Sequence, residues 1–187
     1  DTMVREARAP KVLDWLVSYD FTKSPYAQDL RLAWIDDDAP EVAAAAWELT
    51  SARVAKQPEG LDLPGLLDVI EAEMKDAPDR LQWAMNTCLA TIGIEHPEHR
   101  ERVLAIGNRL EVLKDYPTPP GCTSPYVPLW VEEIVRRRST DVHSTAVAPR
   151  SRVSRTKRRS RSLYPPRDAS SSGTSSGARM IRSSPWL

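Results

Sequence analysis

Apolar residues recur at helical spacing along most of this chain. Val12, Leu13 and Leu16 share a face in a stretch that opens at Pro10 and predicts a short helix over 10–18. Ser24-Pro25 predicts the next start, since Ser caps and Pro fits a first turn, with Leu30, Ala33 and Trp34 inward. The strongest helix is expected from Asp38 to about Lys56, with Asp38 and Glu41 in capping-box spacing and Gln57-Pro58-Glu59-Gly60 as its stop. Residues 63–75 carry a stripe of Leu66, Leu67, Ile70 and Met74. Residues 78–93 carry Leu81, Met85, Cys88, Leu89 and Ile92. His96-Pro97-Glu98 opens a helix to about Leu110. Pro117 to Pro120 make a rigid loop. Ser124-Pro125 starts a last helix to about Arg138, with Val127, Leu129, Trp130 and Ile134 apolar. Nothing alternates with period two long enough to argue a strand. The pattern predicts an all-α body of about seven helices joined by short turns.

One helix start occurs twice. Asp38-Ala39-Pro40-Glu41 is echoed by Asp76-Ala77-Pro78-Asp79, 38 residues on, and each leads into an apolar helical run. A period near 40 residues with helical content is the mark of HEAT-like helix pairs stacked into an α-α superhelix. A helical bundle is the competing architecture, and the recurrent helix start favours the stack.

The net charge of zero over 187 residues hides a division. Residues 139–187 hold ten Lys and Arg against Asp141 and Asp168, a balance of +8, so residues 1–138 carry −8. Residues 1–138 are rich in Ala, Leu, Val and Glu, hold five of the six Trp, and read as one domain. Residues 139–187 are rich in Ser, Arg and Pro, with few large apolar groups to offset ordering entropy. Disorder is expected from about residue 140. The run Ser151-Arg152-Val153-Ser154-Arg155-Thr156-Lys157-Arg158-Arg159-Ser160-Arg161-Ser162 supports two readings: a nucleic-acid-binding arm, or a non-native C-terminus from a shifted frame. The chain starts at Asp1 in helix-like sequence without an initiator Met, so a preceding segment is expected.

Cys88 and Cys122 show neither metal spacing nor a CxxC pair, which fits a reducing cytoplasm. No run is long and apolar enough to span a membrane, and no signal peptide is visible. His96, His99 and His143 have no Cys partners at zinc spacing, and Asp36-Asp37-Asp38 reads as a cap and a solvated turn, so no metal is expected. No phosphate-cradling glycine motif or nucleophile elbow occurs, which argues against a nucleotide cofactor, or any other.

The segment Trp15 to Ser24 stands apart. It sets Trp15, Tyr19, Asp20, Phe21 and Lys23 around a helix end. A carboxylate there can line a groove, and aromatics in a turn either pack or stack. Composition alone favours a plain inter-helix turn, with Asp20 capping and the aromatics in the core.

Three stretches carry a resemblance. They are Asp14-Trp15 through Asp20 with Ser24-Pro25-Tyr26; Trp34 through Asp38 and the helix to Trp47; and Met85-Asn86-Thr87-Cys88-Leu89-Ala90-Thr91-Ile92-Gly93 with Gly121-Cys122-Thr123-Ser124-Pro125-Tyr126-Val127-Pro128. Over roughly residues 4–138 the chain resembles the DNA alkylation repair enzymes, the alkylpurine DNA glycosylases built of HEAT-like repeats, in a divergent branch. The resemblance implies hydrolysis of the N-glycosidic bond of an N3- or N7-alkylated purine in duplex DNA. It implies Asp20 and Trp15 as catalytic residues, and Tyr19 and Lys23 as DNA contacts. A second aromatic of the family falls at Thr87 here, and a phosphate-gripping Arg at Ala44. An acidic body also suits phosphate poorly. A non-catalytic HEAT-like module binding DNA or a protein is therefore the alternative.

Overall fold

The computed structural model describes residues 2–6 and 10–146, and residues 10 and 141–146 by their backbone alone. Among the described residues eight α-helices follow in order: α1 (Thr2–Glu6), α2 (Pro10–Tyr19), α3 (Ala27–Trp34), α4 (Pro40–Lys56), α5 (Leu63–Glu73), α6 (Asp79–Glu95), α7 (Arg100–Leu110) and α8 (Val127–Ala146). Single 3-10 turns cover Phe21–Lys23 and Pro97–His99. No strand occurs among the described residues.

The helices form two layers. In one, α2 neighbours α4, α4 neighbours α6 and α6 neighbours α8. Behind them α3 backs α4, α5 backs α6 and α7 backs α8. This is the α-α superhelical arrangement that the repeated start predicts. The two copies open α4 and α6, both 17 residues long and starting 39 residues apart.

Helix α4 belongs to two cores. Val42, Ala45, Ala46 and Leu49 join Val4, Leu13, Val17 and Trp34 on one side. Ala44, Trp47 and Val54 join Leu67, Ile70, Met74, Met85, Leu89, Ile92, Val103 and Val131 on the other. The Ala43–Ala46 run makes this possible: small side chains let helices approach on both sides without voids. Gly93 does the same on α6. A Cβ there would lie 2.7 Å from Val103 Cγ1 and 3.2 Å from Val131 Cγ2, so α7 and α8 depend on its absence.

Several local expectations change. Asp38 does not cap α4: the N-cap is Ala39, without a side-chain bond. The neighbouring Asp37 accepts from the Ala39 amide at 3.0 Å and pairs with Arg5 at 2.6 Å, tying α1 to this turn. Helix α3 begins two residues beyond Ser24-Pro25, because Ser24 Oγ accepts from the Tyr26 amide and holds a turn there. Ala33 and Leu129 are exposed rather than inward, and Val131 takes the core position on α8. Helix α8 runs past Arg138 to Ala146, supported by Arg138 on Glu95 at 2.8 Å. The remaining Ser/Arg/Pro segment, from residue 147, lies outside the described residues.

Candidate functional site

Helices α2, α4 and α6 lie side by side, so one exposed turn of each faces a common surface. Asp14 comes from α2, Glu48 from α4 and Arg80 from α6. The Arg80 guanidinium pairs with Asp14 and lies 3.8 Å from Glu48. Its Nε is buried without a hydrogen-bond partner. Glu48 is 27 % exposed. Burial pushes its carboxyl up to about 7, the Asp14 carboxylate adds to this, and Arg80 opposes it. Two carboxyls and one guanidinium thus form a ladder across three helices. One carboxyl is held in an ion pair, and the other keeps its proton until near neutrality.

On α6, Arg80, Trp83, Thr87 and Thr91 repeat at helical spacing and share a face. Trp83 is 38 % exposed and meets Tyr116 edge-on, with ring centroids 5.1 Å apart. Tyr116 comes from the long loop between α7 and α8. Thr87 Oγ1 donates to the Trp83 carbonyl at 3.0 Å, so an aromatic stands one turn before the threonine. On α4, Ala44 is fully buried, and Glu48 is the residue one turn on that reaches the surface.

Three of the four sequence-predicted residues come together. Trp15 and Tyr19, one turn apart, lie 5.3 Å apart between ring centroids, and Lys23 Nζ sits 5.3 Å from the Tyr19 centroid. Trp15 and Tyr19 are exposed, at 58 % and 44 %. The stack leaves α2 about 100° around the axis from Asp14. Asp20 heads the 3-10 turn with its side chain exposed and makes no capping bond. The capping role expected of a plain turn is therefore not realised. Phe21 does pack inward, edge-on to Trp34 at 5.7 Å.

The Met-Asn helix and the Gly-Cys-Thr-Ser element meet through Asn86, whose Nδ2 donates to the Pro125 carbonyl at 3.0 Å in the core. Tyr126 then donates to Asn108 Oδ1 at 3.1 Å. This paired motif holds α6, α7 and the start of α8 together. A protein-family model described as DNA alkylation repair enzyme matches residues 1–122. The chain belongs to the DNA alkylation repair enzyme family. No curated protein and no solved structure matches it. Within this family member, sequence reasoning missed Asp14, Glu48, Arg80 and Trp83. The available signal was spacing: Asp14, Glu48 and Trp83 follow one another at 34 and 35 residues, close to the repeat. No helix among the described residues is long and apolar enough to cross a membrane, and no group of three metal-ligating side chains occurs among them.

Proposed function

We propose that this protein excises N3- or N7-alkylated purines from duplex DNA by hydrolysing the N-glycosidic bond. The observation that carries the reading is the Asp14–Arg80–Glu48 ladder on the shared face of a chain of the DNA alkylation repair family. An alkylated purine is cationic. Its glycosidic bond breaks with the electron pair going to the base, which leaves neutral and needs no acid. The sugar becomes an oxocarbenium-like cation. Asp14 is the carboxylate that stabilises it. Water adds to the anomeric carbon, and Glu48 takes its proton, a task suited to a base titrating near neutrality. Trp83 with Tyr116 offers an aromatic face to the cationic base or sugar. Trp15, Tyr19 and Lys23 meet the backbone beside it.

Asp20 is the second position for the carboxylate, and paired substitutions separate the two. Release of 7-methylguanine and 3-methyladenine from methylated duplex is the assay. Asp14→Asn should lower release on the order of 100- to 1000-fold with folding intact by circular dichroism. Loss on Asp20→Asn alone would move the chemistry to the end of α2. Thr87 and Ala44, where the family resemblance implies an aromatic and an arginine, favour one other reading, a non-catalytic module binding DNA or a protein. Duplex binding without base release from the unsubstituted protein would establish it.

A further inference from the structure

Between the start of α3 and the end of α4 lies a cavity of about 330 Å³, walled by Thr22, Gln28, Arg31, Arg53, Lys56 and Gln57. Three of these are cations, and no carboxylate lines the cavity. The contrast with the rest of the surface is sharp. Elsewhere most described arginines pair with a carboxylate, as Arg5 with Asp37, Arg80 with Asp14, Arg102 with Asp68 and Glu71, and Arg138 with Glu95, while Arg100 donates to the Gly93 and Ile94 carbonyls. Among the described residues Arg31 and Arg53 make no such pair. Both instead turn to one neutral oxygen, Gln28 Oε1, which accepts from Arg31 Nε at 3.1 Å and from Arg53 Nη1.

Arg53 has a structural task as well. It donates to the Gln57 and Glu59 carbonyls at 3.3 and 2.9 Å and closes the end of α4. Arg31 has none beyond Gln28, and its terminal nitrogens keep their donors. Like charges held together without a counterion are an unfavourable arrangement that an anion relieves. Partial burial, and then the neighbouring Arg53, hold the Arg31 guanidinium below its ordinary range.

We infer that this cavity binds a phosphate group, with Arg31 and Lys56 as its principal ligands and Arg53 and Gln28 as its frame. Planar guanidinium donors match phosphate oxygens, and Lys56 adds a point charge. The group is either a backbone phosphate of duplex DNA or a small free phosphate. The inference requires nothing of the base-release chemistry, so it stands or falls separately.

The test uses the full chain in two titrations, calorimetry with inorganic phosphate and anisotropy with a short unmodified duplex across salt concentrations. Arg31→Gln and Lys56→Gln are the variants, chosen because neither residue caps a helix. Arg31→Gln should weaken phosphate binding on the order of tenfold with an unchanged circular dichroism spectrum. Arg31→Lys should recover part of it. If the ligand is DNA, Lys56→Gln should also reduce the slope of log affinity against log salt by about one. Phosphate binding sensitive to both variants with unaltered duplex binding would assign the pocket to a small phosphate. Absence of phosphate binding, or equal binding by all variants, would overturn the inference.

Discussion

Glu48→Gln is the sharpest perturbation available. It keeps the shape of the side chain and removes its titration. The Glu48 carboxyl is pushed from 4.5 up to about 7 in the folded chain, first by burial and then by Asp14. The raised value means that the folded state holds this proton more tightly than the unfolded state. Stability from this group is therefore fully present at low pH. It is lost as pH rises from about 4.5 to about 7, and is constant above that. The full loss is about 3 kcal/mol, since each pKa unit is worth about 1.4 kcal/mol. Between pH 5 and pH 8 about 2.5 kcal/mol of it falls within reach of measurement. At pH 5 the folded acid is neutral but the unfolded one is already partly ionised, so Glu48→Gln should exceed the parent by less than about 1 kcal/mol. At pH 8 the parent holds a buried charge and the variant does not, so Glu48→Gln should be the more stable by about 3 kcal/mol, a gap about 2.5 kcal/mol wider than at pH 5. Urea unfolding of both chains at several pH values reads the difference directly, and other titrating groups cancel. A stability difference independent of pH would refute the assignment of a proton-holding carboxyl to Glu48.

Gly93→Ala should destabilise the chain by about 1–3 kcal/mol, because the added methyl meets Val103 and Val131 in the core. Thermal unfolding checks this, and an unchanged midpoint would show that α7 and α8 can shift at little cost. Of the two cysteines, Cys122 is exposed and Cys88 is buried, with its thiol pushed up to about 12 by burial. A thiol reagent should find one fast group in the native protein and two in denaturant. Two fast native groups would mean that the α4–α6 core opens readily.

The helices were legible because each buried face is local. The stripes of α5 and α6 appear at spacings of three and four residues, and the structure buries Leu67, Ile70, Met74, Cys88, Leu89 and Ile92 as those spacings predict. Helix starts were less so. Asp38 has the residue type of a cap, but Asp37 reaches the Ala39 amide and also meets Arg5, from far away in sequence. The aromatic cluster was half legible. Trp15, Tyr19 and Lys23 lie one turn apart and meet as their spacing allows, whereas Phe21 is drawn inward by Trp34. The carboxyl ladder was not legible from any single segment. Asp14, Glu48 and Arg80 look like ordinary exposed polar residues of three amphipathic helices. Only the stacking of those helices brings them together.

That difference follows from how a stacked-repeat protein makes a site. A glycine-rich loop or a nucleophile elbow concentrates its chemistry in a few consecutive residues, so a local pattern reveals it. In a superhelix each helix pair contributes one exposed turn to the shared surface, and chemistry is assembled one residue per repeat. Asp14 and Glu48 stand 34 residues apart, and Glu48 and Trp83 stand 35 apart. The repeat places them on adjacent helices of the same layer. The helix starts recur at 38 because they count from the opening of the helix, whereas the site counts from turns that face each other across it. The same spacing explains Ala44. It is one turn before Glu48 and fully buried, so its methyl presents no group to a ligand. A phosphate contact in its place must therefore come from other side chains. The guanidiniums of Arg31 and Arg53, between α3 and α4, share one neutral oxygen and have no carboxylate partner among the described residues.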